Sequence, residues 1–373
     1  MPAARVVIEL SGRPDCTVRI GAHLLSSVGR DVSRLHPQAA RAILVSDQEA
    51  GALYRPSVKT ALTQAGLRAL DITVPAGRDA CSLACAEELW SAFAQSGIAP
   101  DTVLVALGGR SVCTIGLYAA AGYRGGMPCA LVPTTAEAMV CTATLPAAAV
   151  DVPQAPAAAT AVPQPSFACL SFDTLESQSR EDAEAGYAEA VRASLMGNGD
   201  EFFRLSDTVP GVLSGDEESL VATFALANIA RADALAQVPA VPPRAAANFG
   251  FRYGESLVAA AAACGYAQPG MRGRLLADGM RVEARLGVAL GITPLELMAG
   301  QDDLFAQLGL DVVPGLPAPV DLVDAMAVEA GSSDGFLRLA LPVNAGVFEM
   351  TDIDTALVQE HLEARAASLD GEG

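Results

Sequence analysis

Three places in the sequence carry residue types that could do chemistry. Leu107 to Val140 reads as a strand, a glycine pair, a small-residue helix, a second strand and a Pro-Thr-Thr turn, the frame on which nucleotide-binding enzymes cradle a pyrophosphate. Gly108 and Gly109 open it, but Arg110 stands where a third glycine is expected, and no acidic residue follows. A side chain there obstructs close approach of the backbone to a pyrophosphate, although its guanidinium could supply positive charge instead. Glu189 and Arg192 are three apart on a predicted helix, close enough to pair. Phe251 and Glu255 are four apart, on one predicted helical face, where a phenylalanine would make a neighbouring carboxylate more basic and suit it to general-base work. Tyr253 and Cys141 carry protons that could be donated, but a buried structural role suits each better.

Metal and disulfide chemistry have little to stand on. The three histidines, His23, His36 and His361, are far apart, and the closest cysteines of the eight, Cys81 and Cys85, fall within a helical pattern rather than a C-x-x-C knuckle. A net charge of −19 repels nucleic acid and anionic lipid, so neither is an expected partner. The apolar segments Ser256–Ala267 and Thr142–Val162 are too short or are broken by proline and Asp151, so no membrane span is expected. The opening MPAARVVIEL lacks a basic start, an apolar run and a small-residue cleavage site, so a cytoplasmic chain is expected.

The elements that must position these residues divide the chain. At 373 residues, 51% hydrophobic and 18% charged, it is long and apolar enough for two compact domains. Strand-like runs at Arg41–Ser46, Leu70–Pro75, Thr102–Leu107 and Pro128–Val132 alternate with helical patterns at Glu49–Ala65 and Ser82–Ser96, as in βαβ units on a mostly parallel sheet. Beyond Asp173 the patterns at Ala183–Leu195, Glu218–Ala236, Ser256–Gly265, Arg272–Leu290 and Thr293–Leu308 are helical. The expected fold is therefore an α/β domain over residues 1–175, dinucleotide-binding in type, and an all-helical domain over 176–373. Pro146–Pro165, rich in proline and alanine and without amphipathic period, reads as a linker or surface loop. Ligands collect beyond the carboxyl ends of strands and between domains, which points to the region of Gly108–Gly109 facing the helical half.

Over almost its entire length the sequence resembles the 3-dehydroquinate synthases and their relatives, the sugar phosphate cyclases. The resemblance is carried by PAGRDACSLACAEELWSAF, VALGGRSV, GLYAAAGYRGG, LVPTT, Gln164–Pro165, LSFDTL, GYAEAVRASLM, RAAANFGFRYGES and DAMAVEAGSSDG, in the family's order and spacing. It implies a dinucleotide-binding α/β domain joined to a helical metal-binding domain, and a homodimer. It also implies losses. Of the family's zinc ligands Glu189 is retained, while Phe251 and Arg272 occupy the two histidine positions and Glu255 a following histidine. Neither phenylalanine nor arginine offers a lone pair to a metal. Of the NAD-binding positions Asp47, Thr134 and Thr135 survive, whereas Arg78, Cys81, Arg110, Cys141, Ala147 and Pro156 depart from the pattern. Cations for a substrate phosphate are thinned too, with Arg124 one place early and Ala330 and Gly331 in place of lysines.

No metal and no cofactor are expected. Under the resemblance Glu189, Glu255 and Arg272 are the candidate catalytic residues, with Arg272 within hydrogen-bonding reach of Glu189 in place of the cation. Arg192, which stands for a helical lysine, Arg244, Asn248, Phe251, Arg252, Tyr253, Arg110, Thr134, Thr135 and Cys141 are the candidate substrate contacts. Two functions fit: an enzyme of a non-redox step, such as cyclisation, elimination or aldol-type ring closure on a small molecule of specialised metabolism, or an inactive binding or scaffolding protein. The first is favoured because charged and aromatic residues replace the catalytic ones, the second by the blank alanine positions of Pro146–Val162. An active 3-dehydroquinate synthase ranks last, because its cofactor chemistry lacks the residues.

Overall fold

The computed structural model describes residues 3–10, 12–98, 101–153, 155–197, 200–237, 250–266, 270–330 and 335–370. The chain forms two compact units, Met1–Gln178 with Gly215–Pro243, and Ser179–Ser214 with Arg244–Gly373.

The first unit is built on a seven-stranded sheet. Its strands are β1 (Ala3–Ile8), β2 (Cys16–Gly21), β3 (Arg41–Ser46), β4 (Arg68–Thr73), β5 (Thr102–Gly108), β6 (Cys129–Pro133) and β9 (Phe167–Ser171), in the order β1-β2-β9-β6-β5-β3-β4. Only β1 runs antiparallel, paired with β2. The central strands are continuous apolar runs, and β5, β6 and β9 are buried at every position, as required where helices cover both faces. The helices are α1 (Val28–Leu35), α2 (Gln48–Gln64), α3 (Leu83–Gln95), α4 (Arg110–Gly122) and α5 (Ala136–Cys141). From β3 the chain crosses to β4 on one side and then back to β5 on the other, and the crevice at this reversal lies at the carboxyl ends of β3 and β5, beside Asp47 and Gly108.

Pro146–Pro165 is not a linker. It forms an antiparallel hairpin, β7 (Ala148–Val152) with β8 (Ala155–Ala161), and β7 packs on α4. Alanine has little strand propensity, so local pattern could not show it; Asp151 fastens it by donating its N–H to the Cys81 carbonyl at 2.7 Å and accepting from Arg78 Nε at 3.0 Å. The chain then returns through β9 to the middle of the sheet, between β2 and β6.

Helix α8 (Glu217–Ala236) also belongs to the first unit, so a division at 175/176 differs from the observed one. It packs on β1, β2 and α5; Asn228 Nδ2 donates to the Met139 carbonyl at 3.0 Å, and Arg231 Nε to Thr144 Oγ1 at 3.0 Å. By length and composition alone α8 could cross a membrane, which the sequence reading passed over; these bonds are those of a core helix.

The second unit contains α6 (Arg180–Met196), α7 (Asp200–Ser214), α9 (Glu255–Ala263), α10 (Arg272–Ala289), α11 (Leu295–Gln307), α12 (Pro319–Ala330) and α13 (Thr355–Asp370). It is not all helical: β10 (Phe336–Asn344) and β11 (Val347–Asp354) form a hairpin turning at Gly346. Leu337, Leu339 and Leu341 alternate inward along β10, a period-two signal that a helix-dominated context had masked. Around α6 and α10 the core gathers Val191, Leu195, Tyr253, Leu276, Met280 and Phe305.

A four-charge cluster as the candidate functional site

Three helices, one of them entered through a sharp turn, bring four charged side chains of the second unit together. Glu189 and Arg192 lie on α6, one turn apart; Glu255 is the first residue of α9 and Arg272 the first of α10. The turn before Glu255 depends on Gly254, whose φ of +81° an L side chain rarely adopts. A Cβ there would also fall 2.7 Å from the Leu276 carbonyl oxygen, so α10 and the turn touch backbone to backbone. Phe251 lies in a separate short 3-10 turn, Gly250–Arg252, so Phe251 and Glu255 do not share a helical face as the spacing suggested.

Arg192 is the hub. Its Nη2 donates to both Glu189 oxygens at 2.7 and 2.6 Å, its Nε to Oε2 at 3.1 Å, and its Nη1 to Glu255 Oε1 at 2.7 Å and the Phe251 carbonyl at 3.1 Å. Glu189 and Arg192 are 1% and 2% exposed. Arg272 directs its fork at Glu255, Nη2 to Oε1 at 2.8 Å and Nη1 to Oε2 at 3.2 Å, and reaches Glu189 at only 3.5 Å. The main partner of Glu189 is thus Arg192, not Arg272. The outer pair, Arg272 and Glu255, is 31% and 29% exposed. Glu255 thus faces two guanidinium groups rather than the apolar wall expected from Phe251. Because its pair is open to solvent, Arg272→Met lowers stability by about 1 kcal/mol or less in a urea melt; a loss several times larger shows the pair to be shielded in solution.

The remaining expected residues divide between the units. Arg252 is exposed at the rim of the turn. Tyr253 is fully buried, its hydroxyl shared between the Met280 carbonyl at 3.0 Å and Gln301 Oε1 at 2.7 Å, and burial first, then the Glu283 charge, pushes its ionisation well above the usual range. It is part of the core rather than a substrate contact. Arg244 and Asn248 lie outside the described residues. In the first unit, Arg110 donates from Nη1 to Glu137 Oε1 at 2.7 Å, Thr135 caps α5 through Ala138, Thr134 is 6% exposed, and Cys141 is fully buried, which removes Cys141 from substrate contact.

The residues do not fit the metal that the fold family implies. Glu189 has both oxygens engaged by arginine, Phe251 and Arg272 supply no lone pair, and no group of three or more His, Cys, Asp or Glu among the described residues could hold a metal ion. At the crevice of the first unit, Arg110 is tied to Glu137, Arg78 to Asp151, and Asp47 caps α2 by accepting from the Ala50 N–H at 2.7 Å. These three side chains are thus engaged within the protein.

One residue escaped the sequence reading. Glu283, on α10 and 1% exposed, accepts the Gly254 N–H at 2.8 Å and the Ser256 hydroxyl, gripping the residues on either side of Glu255. The available signal was an acid on the apolar stripe Leu276, Met280, Glu283. Burial pushes its carboxyl from 4.5 up to about 8. Between those values the folded chain holds a proton that the unfolded chain has released, so this contribution to stability is full below 4.5 and is lost as pH rises through about 8. Glu283→Gln, which mimics the protonated form, should therefore gain on the parent in denaturant melts as pH rises across that window; parallel pH profiles would show that Glu283 ionises normally.

Comparison with known proteins agrees with this architecture. A family model for the N-terminal part of 3-dehydroquinate synthase matches residues 71–185. The 3-dehydroquinate synthase of Symbiobacterium thermophilum is 31% identical over 354 residues, 93% of this chain and 97% of its own length. That of Xanthomonas campestris pv. campestris is 29% identical over 371 residues, covering 97% and 99%. Among solved structures, a 2-deoxy-scyllo-inosose synthase complexed with carbaglucose-6-phosphate, NAD+ and Co2+ superposes with a TM-score of 0.84 at 17% identity, over 96% of this chain and 98% of that one. The 2-epi-5-epi-valiolone synthase of Streptomyces hygroscopicus subsp. jinggangensis, with NAD+ and Zn2+ bound, gives 0.77 at 18% identity, over 98% and 100%.

Proposed function

The chain belongs to the 3-dehydroquinate synthase family, and we propose that within it this protein catalyses a non-redox step, cyclisation, elimination or aldol-type ring closure, on a small polar or anionic molecule of specialised metabolism, without metal or NAD. The setting we assign is a cytoplasmic homodimer. The observation that carries the reading is the placement of Arg272: a guanidinium occupies a former ligand position and pairs with Glu255 while leaning on Glu189, so positive charge is kept where metal-binding residues are gone. Glu255, partly open to solvent, takes a proton from the substrate. The exposed edge of Arg272 stabilises the oxyanion that develops, a role that charge alone can fill. Arg192 and Glu189 hold the pair from beneath, and Arg244 and Asn248 orient the substrate.

The purified protein is expected to carry no stoichiometric zinc or cobalt and to bind NAD with no micromolar affinity, about −8 kcal/mol. About one equivalent of metal by elemental analysis, lost in Glu189→Ala, would return metal chemistry to this site. A binding or scaffolding role is the second reading, favoured by one observation: both Glu255 oxygens already accept from arginine, so the four charges answer one another. Identification of co-purifying metabolites, followed by turnover assays on ketose and cyclitol acids with chelator present and NAD omitted, separates the two. Turnover under those conditions supports the enzyme; no turnover and no retained metabolite supports the scaffold.

A further inference from the structure

Resting on the enzymatic reading, we propose that a small cavity adjoining Glu255 is a subsite for an oxyanion group of the ligand, a carboxylate or a phosphate, held by Arg252 and Arg338. The cavity lies within the second unit, has a volume of about 100 Å³, and is lined by Arg252, Glu255, Ser256, Glu283, Met326 and Arg338 among others. That is room for about three waters at roughly 30 Å³ each, or for one small oxyanion.

Its two cations have donors to spare. Arg252 makes no hydrogen bond or ion pair with any described residue. Arg338 has only Asp352, at 3.9 Å and with both side chains largely exposed, a contact too loose to hold a guanidinium. The acids on the lining do not cancel them. Glu255 is already matched by Arg192 and Arg272. Glu283, whose carboxyl burial pushes up to about 8, holds its proton at neutral pH. The balance in the cavity is therefore cationic. Guanidinium forks match carboxylate and phosphate alike. An anion seated there presents the next carbons of the same molecule to Glu255, the proposed base, so the subsite also sets which carbon loses its proton.

The test is titration of the full chain, followed by NMR in chloride-free buffer, with inorganic phosphate in one arm and acetate in the other. Saturable binding is expected, weakened about tenfold in Arg252→Gln and in Arg338→Gln, about 1.4 kcal/mol each, and unchanged in Arg204→Gln, an exposed control on α7. Tighter phosphate assigns a phosphoryl group and tighter acetate a carboxylate. Absence of saturable binding of either anion, or binding that both cavity variants leave unchanged, overturns the subsite. Phosphate binding lost in Arg252→Gln without any turnover upholds the subsite while removing the enzymatic reading. Turnover with an unaltered KM in both variants does the opposite.

Discussion

Arg192→Met should lower the stability of this protein by about 3–5 kcal/mol, the largest effect expected of any single substitution in the charged cluster. Glu189, 1% exposed, would be left as a buried carboxylate with Arg272 at 3.5 Å, and the Phe251 carbonyl and Glu255 would each lose a donor. Desolvation makes the loss of one partner expensive, whereas loss of both removes the uncompensated charge. The double variant Glu189→Leu with Arg192→Met should therefore recover most of the deficit, with Arg272 still held by Glu255. Urea denaturation of the two single variants and the double one checks this; singles as stable as the parent would mean that water reaches the inner pair.

Glu255→Gln should fold like the parent and react about 10²–10⁴-fold more slowly once a substrate is in hand, the usual cost of a lost general base. Glutamine can still accept from Arg192 and Arg272, and the pair it disrupts is 29% and 31% exposed, so stability changes by about 1 kcal/mol or less. The charge of the cluster meanwhile rises by one, which should hold an anionic substrate more tightly: kcat falls while KM does not rise. A carboxylate that served only as an ion-pair partner would give the opposite split, a small stability loss with turnover per folded molecule intact. Full activity in Glu255→Gln would remove it from the mechanism and leave Arg272 as a structural cation.

The contrast between the two pairs shows how far local sequence reaches. Glu189 and Arg192 were legible because helical geometry alone sets residues three apart side by side. The parallel sheet was legible for a similar reason: unbroken runs such as Thr102–Leu107 must be buried on both faces, and alternation with helical patterns leaves few topologies. The family's motifs carried the positions of Phe251, Glu255 and Arg272, and with them the loss of the metal ligands. Which arginine each glutamate would choose was a tertiary matter. Arg192 meets Glu255 across 63 residues, and the direction of Glu255 is set by Gly254 pressed against α10 and by Glu283 from another helix, contacts that leave no trace in the spacing of residues 251–255. The alanine hairpin at Ala148–Ala161 escaped for want of side chains to mark a face, and β10 because its period-two leucines follow a long run of helical patterns. Short-range periodicity determines elements and local pairs; burial, charge matching and close backbone approach over long sequence separations are decided only when the chain has folded, because each depends on what the other elements bring.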